Sequence, residues 1–141
     1  MWPEYADICE YYPFLEFAEY MIKVLQGEKC DMIIALTHMM KYNDIELAKK
    51  FPEIDLILGG HDHLIVHEVV NNSIFIKSGT NFKHFSFLKV MKRENFSADE
   101  MLKEGQFLLK NKKWSIVVDL VEVTHEKMNI VPDEELNHYI E

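Results

Sequence analysis

Residues 31–63, DMIIALTHMMKYNDIELAKKFPEIDLILGGHDH, leave this chain few folds to choose from. They hold two short apolar runs, 32–36 and 54–58, without polar alternation, as expected of strands covered on both faces. Between them Ile45, Leu47, Ala48 and Phe51 recur at helical spacing. Asn43 is the expected N-cap, Glu46 its capping-box partner three residues on, and Pro52 the stop. Two parallel strands joined by one crossover helix end on the same rim of a sheet. Open α/β sheets bind their ligands there. The first strand ends in Thr37-His38 and the second in Gly59-Gly60-His61-Asp62-His63, so three imidazoles arrive at one rim. The glycine pair frees the backbone to turn sharply beside them.

The rest of the chain is consistent with an α/β domain. Residues 1–11, with Trp2, Pro3 and Tyr5, read as an irregular lead-in. Over 13–26, Phe14, Phe17, Ala18, Met21, Ile22 and Leu25 mark a helix with Pro13 in its first turn and Gly27 at its stop. Runs 64–70 and 73–78 flank Asn71-Asn72, a hairpin signal, because asparagine tolerates left-handed backbone. Residues 85–90 form a further strand with Phe85, Phe87 and Leu88 toward the core, and 114–123 is a clear β run. Segment 95–113 mixes helix formers with Gly105 and the basic patch 110–113, and reads as an insertion between strands. Pro132-Asp133-Glu134-Glu135 opens a terminal helix over 132–141.

At 141 residues there is room for one domain. A hydrophobic content of 48% is enough to fill a core, which excludes a disordered chain. Fifteen Lys and Arg against 24 Asp and Glu give a formal charge of −9. That balance argues against a nucleic-acid polymer as partner, since phosphate neutralisation needs clustered cations. It suits solubility, or the concentration of divalent metal ions. Cys9 and Cys30 are too few for a disulfide framework and read as buried or partly buried thiols. No apolar run approaches the length of a membrane span, and the first residues lack the pattern of a signal peptide. The compartment stays open.

Imidazole nitrogen suits Zn, Mn, Fe or Ni. Three segments carry a more specific signal: Ala35-Leu36-Thr37-His38-Met39, then Asn43-Asp44-Ile45-Glu46-Leu47-Ala48, then Ile54-Asp55-Leu56-Ile57-Leu58-Gly59-Gly60-His61-Asp62-His63. Lys77-Ser78-Gly79-Thr80-Asn81-Phe82 continues it. Together they resemble the metallophosphatase (calcineurin-like phosphoesterase) superfamily and, within it, the 5′-nucleotidase family. The resemblance covers roughly 12–90 well and 114–139 loosely. It implies the second half of an α/β/β/α sandwich, a single partial domain over 1–141 whose last residues start a connecting helix. It also implies a hydrolase of phosphoric esters, nucleotides among them, acting through two divalent metal ions (Zn, Mn, Fe or similar) that activate a bridging water. By resemblance, His38 and His61 ligate one metal and His63 the other. Asp62 either orients a ligand imidazole from behind or is a solvated turn residue. Asn43 and Asp44 read as helix-start residues.

The departures from the family pattern carry consequences. Family members first supply an Asp-x-His strand end, a Gly-Asp turn and a Gly-Asn-His turn, with the bridging aspartate among them, and none of these occurs here. Metal binding by this chain alone is then expected to be weak and hydrolysis small. Strands 32–36 and 54–58 are expected to lack neighbours on one side, favouring self-association or pairing with a missing N-terminal half. Another class of reading keeps the fold as a non-catalytic remnant that binds a partner protein.

Overall fold

A computed structural model describes residues 10–95 and 106–123. Helix α1 spans Phe14–Gly27, strand β1 Ile34–Thr37, helix α2 Lys41–Lys50 and strand β2 Leu56–Gly59. Strands β3 (Ile65–Val70), β4 (Ser73–Ser78) and β5 (His84–Lys92) follow, then a 3-10 turn at Arg93–Asn95, β6 (Gln106–Lys110) and β7 (Trp114–Glu122). The lead-in up to residue 9, Cys9 and the helix expected over 132–141 lie outside the described residues.

The strands form two sheets, one ordered β1-β2-β4-β3 and the other β5-β7-β6. In the first, β1, β2 and β4 run parallel and β3 returns antiparallel beside β4. Strand alternation then sorts the side chains of its two inner strands into two cores. Ile57 and Phe75 face the helices and meet Ile22, Leu47, Ala48 and Phe51. Leu56, Ile74 and Ile76 face the second sheet and meet Ile116 and Val118. The result is helices on sheet on sheet, a partial α/β sandwich.

Strand β2 pairs on both sides, with β1 and with β4, so of the two strands expected to lack a neighbour only β1 is an edge strand among the described residues. The expectation of cover on both faces fails there: Ile34 is 50% and Leu36 86% exposed. The Asn71-Asn72 hairpin is as expected, with Val70 opposite Ser73 and Asn71 at φ 56°. In β5 the inward face is that of Ser86 and Leu88; Phe87 is 62% exposed and stacks edge-on against Phe85. Alternation separates two faces without saying which one is covered. The described part of the expected insertion is no helix but β6, zipped along β7.

Two helix ends also differ from the sequence reading. The α1 stop is made by Lys29 at φ 57°, whose N–H meets Gln26 O at 3.0 Å while Cys30 N–H reaches Leu25 O at 3.2 Å. That is a Schellman ending, and Gly27 sits inside it as the last helical residue. Cys30 is exposed rather than buried. Helix α2 begins two residues before Asn43, after Met40, and no side chain of its own caps it.

Candidate metal centre

Because β1, β2 and β4 are parallel, their carboxyl ends share one rim. Register places Thr37, Gly59 and Lys77 side by side across it. In-register residues point to the same face, here the face under α2. Gly59 has no side chain, so the Lys77 side chain crosses over it. A Cβ on Gly59 would lie 2.8 Å from Lys77 Cε and 3.2 Å from Asp44 Oδ2. Neither Gly59 nor Gly60 adopts a positive φ, so the expected sharp glycine turn is absent. The pair supplies space instead: a Cβ on Gly60 would meet His38 Nδ1 at 3.1 Å.

Left-handed backbone falls on the histidines themselves, His61 at φ 81° and His63 at φ 57°. A side-chain-bearing residue held there costs on the order of 1–3 kcal/mol and persists only where its surroundings enforce it. Beside this turn lies Lys77, 2% exposed. Its Nζ donates to Met39 O at 2.8 Å, to Gly60 O at 2.8 Å and to Asp62 Oδ1 at 2.6 Å. Three N–H bonds exhaust an ammonium. Asp44 Oδ2, 3.0 Å from the same nitrogen, therefore receives charge without a hydrogen. The other oxygen of Asp44 accepts from Thr37 Oγ1 at 2.6 Å.

Asp62 has a structural place that neither sequence reading foresaw. Its Oδ2 accepts the Lys41 backbone N–H at 2.6 Å, which makes it the cap of α2 from a distant loop. Burial is the largest influence on its carboxyl and opposes ionisation. The Lys77 hydrogen bond, the Lys41 N–H and the Lys77 charge together outweigh it and hold the pKa below 3.8. Its hydrogen bonds thus go to Lys77 and Lys41, not to an imidazole. Asp44 lies in the first turn of α2, as expected of a helix-start residue, and is fully buried at the core of this cluster. The sequence signal for it was available. A cation set in the apolar run Ser73–Ser78 needs a buried counter-charge, and Asp44, at the start of α2, and Asp62, just past β2, stand beside its end.

The structure brings together two of the three histidines. The His38 and His61 rings meet edge to face with centroids 5.2 Å apart. That spacing suits two nitrogens on one ion at ~2.0–2.1 Å each. His38 also lines an apolar groove of about 630 Å³ between α1 and β1, shared with Phe17, Met21 and Leu36. His63, exposed, is not drawn in as a third ligand: among the described residues no group of three or more His, Cys, Asp or Glu side chains could hold a metal ion. The residues present therefore fit part of a metal centre, two imidazoles with both nearby carboxylates engaged by Lys77.

No helix among the described residues is long and apolar enough to cross a membrane. Over 60 residues, 40% of this chain, the sequence is 53% identical to the trifunctional nucleotide phosphoesterase protein YfkN of Bacillus subtilis (strain 168). The chain spans about 4% of that protein's length. No protein-family model and no solved structure matches it. The match supports kinship with a phosphoesterase.

Proposed function

We propose that this chain is part of a metal-dependent phosphoric ester hydrolase, 5′-nucleotidase-like in substrate class, whose ligand set is completed from outside the described residues. The observation that carries the reading is the His38–His61 pair at the carboxyl rim of parallel strands. Kinship with a phosphoesterase supports the reaction class. In this reading His38 and His61 hold one divalent ion and His63 belongs to a second. When bound, such ions polarise a phosphoryl oxygen and lower the pKa of water toward neutrality. The chain's own part is to present two imidazoles side by side. The Thr37–Asp44–Lys77–Asp62 network ties β1, α2, β4 and the loop after β2 together at that rim.

Turnover of p-nitrophenyl phosphate with added Mn²⁺ or Zn²⁺ tests the proposal. A low rate that falls to background in His38→Ala and in His61→Ala is expected. A rate that both substitutions leave intact would overturn it. A second reading, a non-catalytic remnant binding a partner protein, draws on the incomplete ligand set. Calorimetric titration with Zn²⁺ separates the two, because a remnant shows no histidine-dependent binding.

A further inference from the structure

We propose that Lys77 is a positioning residue for the imidazoles, a buried ammonium that holds the His61 turn against His38. Its three hydrogen-bond acceptors are the groups that flank the histidines in sequence. Met39 follows His38, Gly60 precedes His61, and Asp62 lies between His61 and His63. One nitrogen thus gathers, from β4, the two loops that leave β1 and β2. Asp44, fixed by Thr37, adds a second negative charge that keeps the ammonium from withdrawing into solvent. Asp62 relays the hold to α2 through the Lys41 N–H.

A core lysine is a poor choice for stability alone, since apolar residues of similar volume often replace a buried ion pair without loss. The neighbours of Lys77 on its face of the sheet, Ile57 and Phe75, show that an apolar side chain could lie there. What such a side chain could not do is bind two carbonyls and a carboxylate at once. The left-handed φ of His61 and His63 also needs an outside restraint, and the Asp62 carboxylate between them is the point where Lys77 applies it. Lys77 acts through the loops and touches no substrate.

This inference rests on the metal-binding reading for its functional meaning, so the test has two independent arms. Amide hydrogen exchange at 60–63 is compared in the unaltered chain and in the charge-neutral variant Lys77→Met/Asp44→Asn/Asp62→Asn, which leaves no stranded charge. Exchange at least tenfold faster at 60–63 in the variant, with β2 and β4 amides still protected, is expected. Equal exchange at 60–63 overturns the inference. Should that variant not fold, Asp62→Ala, which removes the acceptor that lies between the two histidines, is read by the same amides with the same two outcomes. The second arm titrates Zn²⁺, with affinity expected to fall about 10- to 100-fold in the variant, as when the groups behind a ligand histidine are lost. No histidine-dependent binding in the unaltered chain would sink the metal reading and leave the exchange arm to decide the role of Lys77. An unchanged affinity in a folded variant would sink the positioning role.

Discussion

At the amino end of the first sheet, Asp55 takes the Ile33 N–H at 3.1 Å, and an exposed lysine, Lys113, balances its charge at 3.4 Å. Neutral side chains complete that end: Ser73 Oγ donates to Ile54 O, and Asn111 Nδ2 to the Asp55 carbonyl. At the carboxyl end the balancing cation is itself sealed in, with Lys77 and Asp44 at 1% and 0% side-chain exposure. The unusual backbone of the histidine turn lies at that end too. One end joins strands with hydrogen bonds and a single buried carboxylate balanced from the surface. The other concentrates buried charge and backbone strain around two imidazoles, the pattern expected where a structure is shaped for more than stability.

The sharpest way to break this comparison is to remove the cation from each end. Lys77→Met leaves the Asp44 and Asp62 carboxylates without their counter-charge, and should cost about 3–5 kcal/mol. Lys113→Met leaves the buried Asp55 carboxylate with the Ile33 N–H alone, and should cost about 1–3 kcal/mol. Urea midpoints at constant slope measure both. Equal losses would mean that the two ends are fastened alike.

Glycines sharpen it next. Gly59→Ala drives a methyl into an anchored Lys77 stem and the Asp44 carboxylate. Neither can swing away without losing its bonds, so a loss of about 1–3 kcal/mol is expected. Gly27→Ala, at the end of α1, meets nothing within 4 Å and should gain roughly 0.5–1 kcal/mol through a stiffer unfolded chain. Thermal melts of the two variants should therefore move in opposite directions.

Much of the scaffold was legible because its signals are local. The two apolar runs, the helical spacing between them and Asn71-Asn72 each report on neighbours a few residues away. The rim was legible in outline, since parallel strands must end together, and that brought His38 and His61 to one place. What was hidden depends on register. Lys77 meets Gly59 only because β2 and β4 align as they do, and this reverses the meaning of the glycine pair from turn to tunnel. Asp62 caps a helix 21 residues upstream, so no capping box in α2 could disclose it. Burial of β1 was misjudged for the same reason: its composition matches that of β2, and only the absence of a further described strand beside it sets the two apart.

Between the ends, β3 offers a weaker probe. Burial lowers the pKa of His67 below its ordinary 6.5. The folded state therefore resists protonation while the unfolded chain does not. Stability should fall as pH drops from about 6.5 toward the folded value, and level off below it. His67→Phe should flatten that limb of the pH profile, measured by urea unfolding between pH 5 and pH 8, and leave the Lys77 and Lys113 contrast unchanged.

The smallest effect on stability belongs to Leu36, one residue before Thr37 and 86% exposed. Its neighbour Thr37 is bonded into the charged cluster, while strand alternation puts Leu36 on the opposite face, at the edge where it also borders the groove beside α1. Leu36→Lys should change stability by less than about 0.5 kcal/mol. The same substitution should matter for association. An open β1 edge with exposed Ile34 and Leu36 is a template for another strand, and a lysine on such an edge opposes pairing. Light scattering across a concentration series is expected to show the unaltered chain self-associating and Leu36→Lys shifted toward monomer. A monomeric unaltered chain at all concentrations would show that the edge tolerates water unaided, and the rim would then have to find its remaining ligands without a strand joining at β1.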